Sequence, residues 1–167
     1  MEIKEPYSTI LYIVLGIVLA FGINGGLALA LATDLPIVAV ESNSMKSDRP
    51  DSFQRGDILI IQGEQSYQIG DVIVFSPPSQ DTPVVHRIVS RNPDGTYQTK
   101  GDANSGQLSF EASISKGQIH GKRILIIPYL GYIKIGITDY IIPNLPYVAA
   151  IVIFVYIVYI GAGKRRK

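Results

Sequence analysis

Ser44, His86 and Asp102 are the residues of this chain whose types suit hydrolytic chemistry. A serine hydroxyl is a weak nucleophile, and it attacks a carbonyl group only when a neighbouring base takes its proton. A neutral imidazole acts as that base near neutral pH, and a carboxylate bonded to its second ring nitrogen fixes the required tautomer. Almost any domain contains these three residue types, so by themselves they are weak support for acyl transfer.

Other kinds of site find little support in the sequence. The chain has no cysteine, which excludes disulfides, thiolate nucleophiles and cysteine metal ligands. Its two histidines, His86 and His120, lack the spacing from other ligands that is typical of zinc sites. No loop alternates oxygen ligands as calcium sites do, and no glycine-rich stretch precedes a helix to hold phosphate. We therefore predict neither a metal nor a cofactor.

Two long apolar segments flank the middle of the chain. Residues 6–33 and residues 140–163 contain no charged side chain. A bilayer core about 30 Å thick requires roughly 20 apolar residues in a helix. We predict transmembrane helices over residues 7–33 and 138–163, with a β-rich domain over residues 34–137 between them. For the first segment the alternative is a cleaved signal peptide, since small residues alternate as cleavage sites require at residues 28–32.

The first apolar segment also carries a packing motif. Gly22 and Gly26 have the small-xxx-small spacing that lets a second membrane helix approach closely. Another membrane helix is therefore a candidate partner.

The basic residues 164–167 predict the orientation in the membrane. Basic clusters next to a span stay on the cytoplasmic side. With two spans, residues 1–6 are then also cytoplasmic, and the domain over residues 34–137 lies outside the cell membrane or in the lumen of the endoplasmic reticulum. That domain has ten basic and eleven acidic residues, a balance that argues against a nucleic-acid partner. The bilayer is an expected partner.

Short apolar runs separated by turn residues predict an all-β fold for the domain. The predicted strands cover residues 37–40, 58–61, 72–75, 84–89, 96–99 and 123–127, and we see no helical periodicity between residues 34 and 137. The sequence Asn92-Pro-Asp-Gly95 is typical of a tight turn and predicts a hairpin. Ser44 would lie in the loop after the first strand, and His86 on the fourth strand.

Six segments, taken in order, carry a family resemblance. They read Ser42-Asn-Ser-Met45, Gln54-Arg-Gly-Asp-Ile-Leu-Ile60, Gly70-Asp-Val-Ile-Val-Phe75, Val85-His-Arg87, Lys100-Gly-Asp-Ala-Asn104 and Ile127-Pro-Tyr-Leu-Gly-Tyr132. Together they resemble the sequence boxes of the type I signal peptidases, in particular the Ser/His subclass of archaea and the endoplasmic reticulum. The resemblance covers about residues 37–135.

The resemblance implies a membrane-bound serine endopeptidase that cleaves signal peptides from translocated preproteins. Ser44 would be the nucleophile and His86 the general base, at the position where bacterial members carry a lysine. Ser42 is a candidate oxyanion donor and Met45 a candidate supporting residue near the nucleophile. The implied partners are preprotein signal peptides, with a secretion channel or other membrane subunits as further candidates.

Two departures from the family pattern leave the acidic residue open. The loop after Met45 is longer than usual before its proline, and Leu108 stands where this subclass often has a second, commonly catalytic, aspartate. Asp102 is the first candidate to orient His86, and Glu111 is the next. A third alternative is that Ser44 and His86 act with less help.

Two further interpretations remain open from the sequence. Lys100 could act as a lysine base, as in the bacterial subclass, although it lies in a different box. The loss of the second aspartate is also compatible with a catalytically impaired subunit that only binds nascent membrane or secreted chains.

Overall fold

The computed structural model describes the backbone of residues 7–164 and the side chains of residues 8–158. The predicted cytoplasmic N-terminus, residues 1–6, and residues 165–167 of the basic tail lie outside the described residues. Helix α1 covers Tyr7–Ala30, and its apolar side chains point outward all round. The segment Ser8–Ala30 is long and apolar enough to cross a membrane. That result agrees with the first predicted span.

A six-stranded antiparallel sheet forms the domain that follows α1. The strands are β1 (Ile37–Ala39), β2 (Ile58–Gln62), β3 (Val72–Phe75), β4 (Val84–Arg91), β5 (Tyr97–Lys100) and β6 (Ile119–Ile127). Their order across the sheet is β1-β2-β6-β3-β4-β5, and every neighbouring pair is antiparallel. The predicted β-rich domain is confirmed, and β1 lies at one edge of the sheet.

Strand β3 is buried on both faces of the sheet. Successive side chains of a strand point to opposite faces, so Val72 and Val74 enter one apolar cluster while Ile73 and Phe75 enter another. The first cluster also contains Met45, which comes directly after Ser44. The loop that carries Ser44 is therefore anchored in the core of the domain.

The β4–β5 hairpin places His86 beside the segment that follows β5. Asn92 and Thr96 pair through their backbones across the turn, and Gly95 supplies the positive φ of 87° that the turn requires. Arg87 on β4 pairs with Lys100 on β5. The chain after Lys100 therefore runs next to His86, which is the neighbour of Arg87.

The end of α1 is tied to the sheet by specific contacts. The carbonyl oxygen of Leu31 accepts a hydrogen bond of 2.8 Å from the backbone N–H of Gly63. A Cβ atom on Gly63 would lie 1.9 Å from the carbonyl oxygen of Ala32, so only glycine fits at this contact. The helix therefore leaves the domain from a fixed point.

The C-terminal part of the chain differs from the single helix predicted over residues 138–163. Helix α2 (Gly131–Gly136) continues into a π-helical turn at Ile137–Ile141, and helix α3 (Leu145–Lys164) follows after a break. The two parts are bent by 90°. Pro143 lies in the break and has no backbone N–H to continue the helical ladder.

Helix α2 also corrects the expectation that no helix lies between residues 34 and 137. Within the described residues, one helix is long and apolar enough to cross a membrane, or two if the bent pair forms one span.

Candidate active site

The loop after β1 presents Ser44 at the surface of the domain. Met45 is 1% exposed, whereas Ser44 is only partly buried and Ser42 is exposed. The side-chain oxygen of Asn43 accepts a hydrogen bond of 3.0 Å from the backbone N–H of Arg55, which holds the loop against the chain before β2. The hydroxyl oxygens of Ser42 and Ser44 are 3.1 Å apart.

His86 lies on β4 and is held at one of its two ring nitrogens. Its Nδ1 atom lies 2.5 Å from Oε1 of Glu111, and the two side chains are 5% and 0% exposed. A carboxylate only accepts hydrogen bonds, so this contact places the proton of a neutral imidazole on Nδ1. The lone pair of Nε2 is then free to accept a proton, as a general base requires.

Glu111 has its own hydrogen bonds, which fix it beside the imidazole. It ends the short 3-10 helix Ser109–Glu111. Its Oε2 accepts a hydrogen bond of 2.7 Å from the backbone N–H of Leu108, and its Oε1 accepts one of 3.1 Å from the hydroxyl of Thr99. A carboxylate buried to this degree is costly unless it is hydrogen-bonded, and these partners meet that need. Leu108 contributes to the site through its backbone.

Asp102 lies against Arg87 and makes no hydrogen bond to His86. Its carboxylate accepts two hydrogen bonds from Arg87, one of 2.7 Å from Nη2 and one of 3.0 Å from Nε. The hydrogen bonds that Arg87 donates to Asp102 raise the pKa of the Arg87 guanidinium; burial opposes this shift and the hydrogen bond to Asp51 adds to it. The physical reason is the strand: His86 and Arg87 are neighbours on β4 and face opposite ways. The structure thus brings Glu111 to the imidazole, where the sequence had favoured Asp102.

Asp51 completes this ionic cluster. It accepts a hydrogen bond of 2.9 Å from Nη1 of Arg87 and one of 3.1 Å from Nη2 of Arg123. Partial burial raises the pKa of Asp51, but the hydrogen bond and charge of Arg87, together with Arg123, lower it overall. The cluster ties the loop after Ser44 to β4 and β6.

The segment after β5 joins the two candidate catalytic residues. The backbone N–H of Ala103 donates a hydrogen bond of 2.8 Å to the carbonyl oxygen of Ser44. A Cβ atom on Gly101 would lie 2.9 Å from Nε2 of His86 and 2.8 Å from the same oxygen of Ser44. Gly101 therefore lies between the imidazole and the nucleophile loop, where any side chain would collide with both.

Ser44 and His86 line one cleft of about 1150 Å³. Strand β1 forms part of its wall, and Ser42, Asn104 and Leu108 also line it. Lys100 is not among the lining residues. Within the described residues, no group of three or more histidine and carboxylate side chains is arranged to hold a metal ion.

A second serine–histidine–carboxylate arrangement lies elsewhere in the domain. Nε2 of His120 is 2.8 Å from the hydroxyl of Ser76, and its Nδ1 is 2.8 Å from Oδ1 of Asp34. None of these three residues lines the cleft. This arrangement ties the chain just after α1 to β6, a structural connection that the sequence did not reveal.

Comparison with known proteins identifies relatives that match most of the chain. Three of these relatives are named signal peptidase complex catalytic subunit SEC11. The protein from Lachancea thermotolerans is 30% identical over 151 residues, which cover 83% of this chain and 88% of the relative. The protein from Pyricularia oryzae is 31% identical over 132 residues, 72% of this chain and 74% of the relative. The protein from Saccharomyces cerevisiae (strain YJM789) is 35% identical over 125 residues, which cover 68% of this chain and 72% of the relative.

The chain belongs to the signal peptidase family. This confirms the resemblance inferred from the six sequence segments. No family model matches the chain.

Two residues stand out once the chain is treated as a signal peptidase. Glu111 had ranked second as the acidic residue, yet it is the carboxylate in contact with His86. A sequence signal for it existed: Glu111 is the only acidic residue between positions 103 and 133, and it follows the aromatic residue Phe110. Gly101 was noted only as part of a sequence box, and its role beside Nε2 requires coordinates.

Proposed function

We propose that this signal peptidase family member is an active serine endopeptidase that cleaves signal peptides from translocated preproteins. The observation that carries the proposal is that Ser44 and His86 line the same cleft, while Nδ1 of His86 is hydrogen-bonded to Glu111. Ser44 is the nucleophile, His86 the general base, and Glu111 the residue that fixes the tautomer. Asp102 acts as a structural residue on Arg87.

The substrate extends along β1 before it reaches Ser44. β1 is an edge strand with unpaired backbone groups on one side, and its residues line the cleft. An extended peptide can hydrogen-bond such an edge, while shallow pockets select its alternate side chains. The cleavage position then receives small residues, as the family resemblance implies.

The reaction is a two-step acyl transfer. The Ser44 oxygen attacks the scissile carbonyl carbon, and Nε2 of His86 takes the serine proton. The imidazolium, paired with Glu111, returns that proton to the amine nitrogen as the C–N bond breaks. Water then attacks the acyl-enzyme with the same base, releasing the carboxylate of the signal peptide and restoring the Ser44 hydroxyl.

The oxyanion of each tetrahedral intermediate needs hydrogen-bond donors. The Ser42 hydroxyl is 3.1 Å from the Ser44 hydroxyl oxygen, and it lines the same cleft. We assign Ser42 and the backbone N–H of Ser44 as these donors. A donor of this kind contributes about 100-fold or more in rate.

Helix α1 and the relatives support a setting in the membrane. Helix α1 anchors the domain at a bilayer surface, with the domain in the lumen of the endoplasmic reticulum or outside the cell membrane and both chain ends in the cytoplasm. The segment Gly131–Val158 supplies a second crossing in spite of its bend. Other membrane subunits are expected partners, because the relatives are named as subunits of a complex.

The catalytically impaired alternative is less well supported. That reading rested on Leu108 at the place of the second aspartate. Glu111 occupies the position against Nδ1 of His86 that such a residue would have to take. Among the described residues, Lys100 makes no hydrogen bond or ion pair with Ser44 that would support the bacterial-type alternative.

The test compares two serine-to-alanine variants of the full-length protein in detergent. Ser44→Ala should reduce cleavage of a preprotein with a small-residue cleavage site by about 1000-fold or more. Ser79→Ala is the matched control, because Ser79 is exposed and lies outside the cleft. Cleavage by Ser44→Ala at the rate of the control would refute the proposal. An acylating inhibitor should label the wild type and the control but not Ser44→Ala.

A further inference from the structure

Asn24 is an isolated polar residue on the apolar helix α1. From Ile13 to Ala30 no other side chain can form a conventional hydrogen bond. A polar group in this part of a membrane helix is unfavourable unless it faces a protein partner or a polar cavity. Asn24 is exposed, and none of the described residues hydrogen-bonds its amide.

Asn24 lines the same cleft as Ser44 and His86. It lies six residues before the end of α1, which is about 9 Å along the helix. The cleft therefore continues from the site of chemistry to a depth that is inside the membrane when α1 spans it. The hydrogen bond between Gly63 and Leu31 attaches the chain just after α1 to the chain just after β2, on the same domain as Ser44.

The predicted packing face of α1 is not the face of Asn24. Gly22 and Gly26 lie two positions before and after Asn24, and two residues rotate the helix by about 200°. Both glycines therefore point away from the cleft. A neighbouring helix packed on that face would leave Asn24 open to the cleft.

We propose that Asn24 binds the backbone of the signal peptide where its apolar helix ends and its extended cleavage segment begins. The inference rests on the proposed function. A helix leaves its last four carbonyl groups without partners inside the helix. Within the bilayer no water is available to satisfy them, so a protein donor is needed. The side-chain amide of Asn24 supplies two N–H donors in the cleft that leads to Ser44.

Asn24 is thus a positioning residue for the junction of the substrate, and it takes no part in the chemistry. Its amide favours substrates whose helix ends level with it. The apolar part of the substrate then lies along α1 in lipid, and the extended part lies along β1. The number of extended residues between the two sites sets which bond reaches Ser44.

The first test measures a ratio of two substrates. One is a preprotein with a leucine-rich apolar segment and an Ala-x-Ala cleavage site, and the other is a short peptide with the same site and no apolar segment. Asn24→Leu should lower the ratio of their kcat/KM values roughly five- to thirtyfold, the span of a hydrogen bond in lipid. The loss should appear in KM for the preprotein.

The matched control moves the amide by one position. In the double variant Ile23→Asn with Asn24→Ile, the composition of α1 is unchanged but the amide turns about 100° from the cleft. This variant should lose the preference for the preprotein as Asn24→Leu does. An unchanged ratio in either variant would overturn the inference. Loss of a co-purifying membrane subunit with an unchanged ratio would mean that Asn24 binds a partner helix instead, which also overturns it.

A cross-linking experiment gives a second readout that does not depend on turnover. The chain has no cysteine, so Asn24→Cys introduces a unique thiol, here in the Ser44→Ala background to keep the preprotein uncleaved. Single cysteines are placed in the preprotein from the cleavage site back into the apolar segment. Disulfide formation should peak at the junction for Asn24→Cys and be weak for the control Gly26→Cys. Equal cross-linking at both positions would contradict the proposal.

The two proposals fail in different ways. If Ser44→Ala still cleaves both substrates, the proposed function is wrong. If Ser44→Ala abolishes cleavage while Asn24→Leu leaves the substrate ratio unchanged, only the role of Asn24 is wrong.

Discussion

Replacement of Glu111 by glutamine separates its role from that of Asp102. Glu111 has two oxygens, and both accept hydrogen bonds in the folded domain: Oε2 from Leu108, and Oε1 from His86 and Thr99. Glutamine has the same shape but one of its two terminal atoms is a donor. Wherever that donor points, one of the existing donors loses its acceptor.

The backbone N–H of Leu108 decides the orientation of the new amide. It cannot rotate away, so the glutamine carbonyl should turn towards it and the NH₂ group should face Nδ1 of His86. Nδ1 must then accept, which moves the imidazole proton to Nε2. That tautomer cannot take a proton from Ser44.

The expected cost follows from this change of tautomer. In serine hydrolases the corresponding acid-to-amide change lowers kcat about 10,000-fold. Such a loss corresponds to about 5 kcal/mol in activation free energy. We expect Glu111→Gln to lower kcat for preprotein cleavage by about 1000- to 10,000-fold. The free energy of unfolding should fall by only about 1–3 kcal/mol, because a single buried hydrogen-bonding group is left poorly matched.

Asp102→Asn is the comparison variant. Its carboxylate holds Arg87 and makes no hydrogen bond to the imidazole. Loss of this charge should lower the melting temperature, while kcat of the folded fraction falls less than about tenfold. Multiple-turnover cleavage at saturating preprotein in detergent measures kcat, and a thermal melt of the same samples measures folding. If Asp102→Asn lost as much kcat as Glu111→Gln while still folded, Asp102 would be the orienting acid.

Two further predictions concern neighbouring positions. Gly101→Ala places a Cβ atom 2.9 Å from Nε2 of His86, and we expect kcat to fall about 100-fold through misplacement of the base; Gly117→Ala, with open space around its Cβ, is the control, and equal activities of the two variants would contradict this reasoning. His120→Ala removes the connection to Asp34 and should lower the free energy of unfolding by about 1–3 kcal/mol with kcat nearly unchanged; a loss of kcat without a lower melting temperature would instead point to a role in chemistry.

The sheet could be predicted from the sequence because its strands are short apolar runs between turn residues. The run Val72–Phe75 was placed to the residue, since four consecutive apolar residues bounded by Gly70-Asp71 and Ser76-Pro77 leave few alternatives. The last strand was placed too short, at 123–127 instead of Ile119–Ile127. Its first half contains His120, Gly121 and Lys122, which break the apolar pattern.

The bend near Pro143 was not predicted, although its signal was in the sequence. Uncharged composition over residues 140–163 indicated a span, and composition carries no information about helix direction. Pro143 removes a backbone donor from the helical ladder, and Pro146 falls in the first turn of α3, where proline is tolerated. The two prolines therefore mark the end of one helix and the start of the next.

The choice between Asp102 and Glu111 could not be made from spacing. Asp102 was the first candidate because it lies in the segment Lys100–Asn104, one of the six segments that carry the family resemblance. Two features of the fold decide between them. Successive side chains of β4 point to opposite faces, so Arg87 and its partner Asp102 lie away from His86, and the 3-10 helix Ser109–Glu111 places Glu111 against the imidazole. The spacing of residues along the chain predicts neither contact.

The segment Lys100–Asn104 resembles a sequence box of the family, and its contacts in the fold suggest a structural role for it. Gly101 leaves room for the imidazole, Asp102 binds Arg87, and Ala103 holds the carbonyl oxygen of Ser44. Each contact joins this segment to a different part of the site, so the segment holds the proposed nucleophile Ser44 and the proposed base His86 at a set distance. A residue can therefore belong to a signature sequence of an enzyme because it fixes the geometry of the catalytic groups, and Asp102 meets that description for the proposed catalytic groups of this chain.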